Sequence, residues 1–456
     1  MSYRNFNNKK INMINNNKPL VVYSSAAFSN SGYGRYSLDI AKILLRYCKK
    51  KDWNLKLAVH GWGSCSNRDV NEISSDPESL ELMQMILREN LTKKPDVWFQ
   101  VSLPCDYRPN GNFNIGGSAF IETTQAPGNF LEAMNTMDLN IVMSEFNKEV
   151  ATKTEYIKKE PNGIQSPLKL TRPIETLMWG QDDKLFANIQ PVPSIDEELA
   201  KIPETFAFFY SGMWGGNMNS DRKNTGKLIE TFLKTFAGID NPPCLILKTN
   251  GPLIGIPDRH QCVDKLNEIT NMVKNQLGSN VKLPNIYIIY GMLNEKEMVY
   301  LHSCEKVKVF LSFTFGESWG GSSLASTFAL KPTLLPKHSG QLDFMDEKYA
   351  DFFEGKLVDV HPESVNSWII SGSKWFEVDY AKASEKMKDY FFNYSQERID
   401  KAIKLGMENR GKFNLKKMEE RLFELLDKYI PEIPRASTIV LPKLKRIQLP
   451  SLKKIE

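Results

Sequence analysis

Val309-Phe310-Leu311-Ser312-Phe313-Thr314-Phe315-Gly316-Glu317-Ser318-Trp319-Gly320-Gly321-Ser322-Ser323-Leu324-Ala325-Ser326-Thr327-Phe328-Ala329-Leu330-Lys331-Pro332-Thr333 is the stretch on which the fold turns. Its apolar beginning reads as a buried strand, which ends in a turn carrying one carboxylate, Glu317. Two glycines and two serines, Gly320 to Ser323, then open a helix that Lys331-Pro332 stops, since proline has no N–H to continue it. Unpaired backbone N–H groups at a helix start, flanked by small side chains, form a site for a diphosphate. Strand, polar turn and helix in this order make the unit of a doubly wound domain, whose ligands lie at the carboxyl ends of the strands.

The same alternation surrounds this stretch. Strands are predicted at 206–211, 244–249, 285–290 and 307–313, with helices at about 224–237 and 260–277. Far upstream, Leu20-Val21-Val22-Tyr23 breaks into a loop ending in Ser31-Gly32-Tyr33-Gly34, after which Leu38, Ile40, Ala41, Ile43, Leu44 and Leu45 recur at helical spacing. Further strands are predicted at 55–59, 96–102, 118–121 and 139–143. Residues 190–205 hold three prolines and several charges and read as an interdomain linker. The fold class predicted is α/β, with two Rossmann-like doubly wound domains. The predicted division is a disordered lead-in 1–18, an N-terminal domain 19–190 and a linker 191–205. A C-terminal domain 206–380, helices 381–430 returning to the first domain, and a basic extended tail 431–456 follow.

The 456 residues, 41% hydrophobic and 25% charged, suffice for two globular domains. No run approaches the roughly eighteen apolar residues of a membrane span. The Asn- and Lys-rich start lacks the apolar core of a signal peptide. Six cysteines without a C-x-x-C pair, and five histidines without ligand spacing, point to a reducing, cytoplasmic setting and to no metal site. Residues 1–19 carry +4 and residues 431–456 carry +4, which leaves −3 of the net +5 for the body between them. Basic tails of this kind either follow a polyanion such as nucleic acid or a membrane surface, or are merely solvated.

Glu317-Ser318-Trp319-Gly320 and Leu330-Lys331-Pro332 resemble the signature of the large retaining glycosyltransferase family that includes sucrose synthases and bacterial mannosyltransferases. The resemblance implies the GT-B architecture, two Rossmann-like domains facing across a cleft. It also implies metal-independent sugar transfer from a nucleotide-sugar, with a UDP-sugar the first expectation and no cofactor. Under it Glu317 holds the sugar, while Ser318, Trp319, Gly320, Gly321, Ser322 and Ser323 surround the diphosphate. Asp221-Arg222-Lys223 resembles the family's Arg-Lys-Gly segment, which implies that Lys223 neutralises the leaving diphosphate with help from Arg222. Gly291-Met292 matches the segment whose backbone meets the nucleobase, and Gly32-Tyr33-Gly34 the glycine loop near the donor phosphates. Two positions depart from the pattern. The second Glu, which holds the ribose, falls on Ala325, where Ser323 or Ser326 are substitutes; the Arg after the strand-end glycine is Met213, so part of the phosphate clamp is missing or relocated. No D-x-D motif occurs.

Asn112 to Pro127 runs from a strand into a polar turn; the catalytic His that the family usually has at the end of this strand is absent, and Glu122 is the nearest acid or base. Glu122 reads equally as a catalytic group and as a turn residue. With Met137-Asp138 and Ser144 to Lys148, this region resembles glycosyltransferases of tailed bacteriophages, some of which modify hydroxymethylated bases of phage DNA. That resemblance, with the basic tails, implies double-stranded DNA as acceptor and the host cytoplasm as location. Retention and inversion stay open, because Glu122 acting as general base from the opposite face would invert. The rival readings are a transferase for a surface polysaccharide or protein, and a catalytically silent nucleic-acid-binding scaffold. A nicotinamide-dependent dehydrogenase needs a glycine at Ser37. The oligomeric state is not readable.

Overall fold

The computed structural model describes residues 18–159, 163–251 and 255–434; the expected lead-in, apart from Lys18, and the tail from 435 onward lie outside them. The inner strands of the two main sheets are near-continuous apolar runs, buried on both faces, which is the mark of parallel sheets covered by helices. The first domain runs β1 (Leu20–Ser25), α1 (Gly32–Lys51), β2 (Asn54–Val59), α2 (Val70–Ser75), α3 (Pro77–Gln84), β3 (Val97–Val101), β4 (Phe113–Ser118), α4 (Gly128–Met134), β5 (Leu139–Val142), α5 (Glu145–Lys153), β6 (Glu155–Lys159), β7 (Gln165–Lys169), β8 (Ile174–Thr176) and α6 (Asp183–Ala187). After α7 (Pro193–Ala200), the second runs β9 (Ala207–Ser211), α8 (Thr225–Thr235), β10 (Cys244–Thr249), α9 (Ile256–Leu277), β11 (Ile286–Tyr290), α10 (Glu295–Ser303), β12 (Val307–Leu311), α11 (Gly321–Phe328), β13 (Thr333–Pro336), β14 (Asp351–Phe353), β15 (Gly355–Asp359) and β16 (Lys374–Val378). Three helices close the described chain: α12 (Tyr380–Phe392), α13 (Gln396–Lys412) and α14 (Leu415–Tyr429).

The first sheet has the order β2-β1-β3-β4-β5-β8 and the second β11-β10-β9-β12-β13-β14, every neighbouring pair being parallel. In each sheet the order reverses once, between β1 and β3 and between β9 and β12. A crevice opens at such a reversal because the flanking connections leave on opposite faces. β6–β7 and β15–β16 are antiparallel hairpins outside the sheets.

The largest buried cluster joins the first sheet and α1 with one face of the second sheet, α11 and α14. A second fills the other face of the second sheet beneath α8, α9 and α12. The final helices divide between the domains. Ser384 of α12 bonds Thr235 of α8 at 2.8 Å, and Asn409 of α13 donates to Thr327 of α11 at 3.0 Å. In α14, Glu419 pairs with Arg46 of α1 at 2.9 Å and Asp427 accepts from Tyr47 at 2.8 Å. The return of α14 to the first domain crosses the chain near residue 181. There the Gln181 N–H donates to Phe413 O (2.9 Å) and the Leu415 N–H donates to Gln181 O (3.0 Å).

Two sequence expectations are corrected. The linker is not open coil: its middle is α7, with Pro193 in the first turn, where a missing N–H costs nothing. Ile195, Leu199 and Ile202 bury into the core, and Asp196 bonds Tyr300 of α10. The strand expected at 118–121 lies earlier, at 113–118. Gly116 and Gly117 masked it, since glycines weaken strand signals. They are required there because the Tyr107 ring and the Val101 side chain fill the space their Cβ atoms would take.

His302 of α10 is buried between Phe209 and Phe310, and its Nδ1 lies 2.7 Å from Ser326 Oγ. Burial, with Lys331 nearby, pushes its pKa down to about 3. The folded chain stays neutral there, while an unfolded chain protonates below the ordinary histidine value. Stability should therefore fall as pH drops below about 6.5, by about 1.4 kcal/mol per unit, until about 3. Urea titrations across this range should show the slope in the wild type and a flatter one in His302→Leu.

Candidate active site

β4 ends at Ser118, and the chain turns through Phe120, whose φ of 63° places a bulky residue in the left-handed region. That conformation costs on the order of 1–3 kcal/mol and persists only where surroundings enforce it. Here the Ser118 hydroxyl accepts the Phe120 N–H at 2.9 Å, and the ring packs against Phe130. The turn carries Ile121 and Glu122 into the second domain. Asn224, before α8, and Ser339, after β13, are also left-handed, at φ 55° and 69°. All three flank one group of charges.

Glu122, Arg222, Lys223 and Glu317 form that group. Arg222 reaches both carboxylates, 3.3 Å from Glu122 and 3.5 Å from Glu317, and donates to Gly316 O at 2.8 Å. Lys223 pairs with Glu317. Around them, Thr314 Oγ1 donates to Gly316 O, and Ser339 Oγ accepts the Glu317 N–H at 2.9 Å. Burial pushes the Glu122 carboxyl above its usual range, against the pull of Arg222. Burial also works on Glu317, but Lys223 and Arg222 overcome it and hold that carboxyl below the usual range. Lys223, buried beside the Arg222 guanidinium, is held below the usual lysine value. Two carboxylates of the same type thus have unlike proton affinities, the division expected of an acid–base pair.

The domains touch closely at this point. A Cβ on Gly316 would lie 2.1 Å from Glu122 O, so no other residue fits without moving the two turns apart. Ser318 Oγ donates to Ile121 O at 3.4 Å, the Glu145 N–H at the start of α5 donates to Asp343 at 2.9 Å, and the Thr124 N–H donates to Lys374 O at 2.9 Å. Burial raises the Asp343 carboxyl to about 6.

The other predicted positions are placed as follows. Gly320 is the residue before α11, at φ 97°, a conformation glycine adopts without strain. The first turn of α11 holds Gly321, against the Trp179 ring, and Ser322, whose hydroxyl lies 3.3 Å from that of Ser211 at the end of β9. Ser323 is buried. Gly291 follows β11 at φ 109° with open space around it, and Met292 beside it is exposed. Gly32 opens α1 with open space beside it, whereas Gly34 is demanded by packing, a Cβ there falling 2.2 Å from Ser29 O. Between them Tyr33 stacks on Trp62 and bonds Ser102 O and Ser118 at the end of β4, while Arg35 pairs with Glu295 of α10.

Trp319 is corrected. Its ring is 2% exposed, sits edge-on to Phe344 and Phe413, and donates to Trp179 O at 2.9 Å. It is a core residue, and only its backbone belongs to the turn. Sequence reading missed Thr314, whose hydroxyl fixes the Gly316 carbonyl; a threonine inside an apolar run was its only signal. Among the described residues no group of three or more His, Cys, Asp or Glu is arranged to hold a metal ion, and no helix is long and apolar enough to cross a membrane.

No protein-family model matches the chain, and no curated protein sequence matches it. Solved structures do. A glycosyltransferase from Rickettsia africae is 14% identical with a TM-score of 0.56, covering 91% of this chain and 99% of its own. Anabaena HepE, in complex with UDP and glucose, is 9% identical with a TM-score of 0.54 over 90% and 100%. An α,α-trehalose-phosphate synthase (UDP-forming) from Burkholderia xenovorans, in complex with glucose-6-phosphate, is 11% identical with a TM-score of 0.55 over 90% and 100%. The fold of this chain is accordingly GT-B, two Rossmann-like domains facing each other along their carboxyl edges.

Gly316→Ala should force the Glu122 and Glu317 turns apart at a cost of about 1–3 kcal/mol. A lowered unfolding midpoint, with a larger radius of gyration in X-ray scattering, is the expected result.

Proposed function

We propose that this chain is a glycosyltransferase that moves a sugar from a nucleotide-sugar, a UDP-sugar first, to an acceptor hydroxyl. The observation that carries this reading is the convergence of Glu122, Arg222, Lys223 and Glu317 beyond the carboxyl ends of β4, β9 and β12, in front of the glycine-led start of α11. A diphosphate seated there would draw Lys223 away from Glu317 and leave that carboxylate free for sugar hydroxyls. Lys223 and the α11 N–H groups then stabilise the leaving diphosphate, the largest contribution expected in such a transfer. The UDP bound in Anabaena HepE and the UDP-forming reaction of the Burkholderia enzyme support the donor class.

Front-side transfer with retention is the course we favour, with the diphosphate oxygen taking the acceptor proton. Glu122, ion-paired with Arg222, then orients the clamp and meets the acceptor. Hydroxymethylated pyrimidines in phage DNA, the acceptor the sequence pointed to, gain no support from these similar structures. The basic tails behind that idea lie outside the described residues, and the acceptor is best stated as a hydroxyl compound entering beside Glu122.

A thermal-shift panel of UDP-, GDP-, ADP- and CMP-sugars without added metal tests the donor. One donor should raise the unfolding midpoint, and Glu317→Ala should abolish the shift; no shift for any donor removes the reading. On the favoured course Glu122→Gln should raise acceptor KM with donor KM unchanged, whereas a fall in kcat of about 10²–10⁴-fold would show that Glu122 moves a proton. A loss confined to acceptor KM assigns it to binding.

A further inference from the structure

We infer that Lys248 is an additional cation of the nucleotide site, binding the donor's diphosphate in place of the arginine absent at Met213; this rests on the nucleotide-sugar reading above. Lys248 stands near the carboxyl end of β10, in register with Ser211 of β9 and Ile289 of β11. Strand side chains alternate between faces. Leu245 and Leu247 enter the core beneath α8 and α9, while Cys244 and Ile246 share the other face with Phe209. Lys248 therefore lies on the face of Ser211, one strand away, about 4.8 Å. Ser211 itself reaches Ser322 in the first turn of α11. A lysine side chain is long enough to reach toward the helix start from that position.

Lys248 is 7% exposed, and among the described residues its side chain makes no hydrogen bond, ion pair or ring contact. Buried ammonium groups are ordinarily paired, so one without a partner, on the strand next to the β9–β12 crevice, fits a ligand anion. The neighbouring elements offer it none. β9 and α11 present hydroxyls and small residues, and β11 presents Ile289. α10 brings His302, neutral and bonded to Ser326, and two acids already engaged, Glu295 by Arg35 and Glu297 by the backbone N–H of Asn294. Lys223 and Arg222 are taken up by Glu317 and Glu122. That foursome is neutral as a set, so even with Lys223 turned to a doubly charged diphosphate the balance calls for a further cation from outside it. Burial alone brings the Lys248 pKa down to about 8.

An anion settling on Lys248 returns that pKa toward the ordinary value. Binding of UDP at about pH 8.5 must then take up a proton, and affinity must fall as pH rises above about 8. Isothermal titration with UDP in buffers of different ionisation enthalpy reads this in the wild type. Lys248→Met should weaken UDP by about tenfold to a hundredfold and abolish the uptake, leaving uridine binding unchanged. Its unfolding midpoint should be unchanged or higher, since an unpaired buried charge is removed. Lys248→Arg should keep more affinity than Lys248→Met while losing the uptake, because arginine stays charged. UDP binding equally to wild type and Lys248→Met, or a proton uptake that survives in Lys248→Met, overturns the inference and leaves the donor site standing. Absence of UDP binding to the wild type overturns this inference, and absence of binding by every donor of the panel overturns the nucleotide-sugar reading as well.

Discussion

Charge withdrawn from water has to be answered by opposite charge nearby, and at the meeting of the two domains four side chains answer one another. Arg222 stands between Glu122 of one domain and Glu317 of the other, with Lys223 closing the group. Each domain supplies half of an arrangement that neither completes alone. Removing any member leaves a buried charge uncompensated, so the closed cleft and the integrity of the site are the same fact. The carboxylates are also made unlike by it: two cations act on Glu317, whereas burial dominates at Glu122.

The backbone around this group is held in conformations that need reinforcement. Phe120, Asn224 and Ser339 have positive φ without being glycine, and each lies within two residues of one of the charged residues or bonds to it. Their hydrogen bonds and packing fix the turns before any ligand arrives, which is how a fold reduces the reorganisation its chemistry demands. Gly316 has the complementary part. By having no side chain it lets the two turns approach to where Arg222 can span them.

The doubly wound order was legible in the sequence because strands buried on both faces leave apolar runs that little else produces. Glu317 could be singled out by its place between a strand and a glycine-led helix, and Lys223 and Arg222 only through resemblance, since two basic residues before a helix also suit a solvated surface. What was not legible depended on space. An indole packs or stacks with the same letter, so Trp319 was misplaced. Gly116 and Gly117 disguised a strand whose need for them lies in Tyr107 and Val101. Of the three prolines that mark the linker, Pro193 opens the first turn of α7. Lys248 passed unnoticed because a lysine in a strand ordinarily marks an edge, whereas β10 has neighbours on both sides.

The stitch between Gln181 and the Phe413–Leu415 segment joins two chain crossings at one point. Two ropes tied together where they pass between two bodies leave a swivel rather than a slide. A fastening of this kind opposes shear of the two domains more than rotation about it. Trp179, two residues before the pin, holds the indole of Trp319, so the turn bearing Glu317 is fastened close to the axis. The far rim of the cleft lies furthest from this fastening, and the turn bearing Glu317 lies beside it.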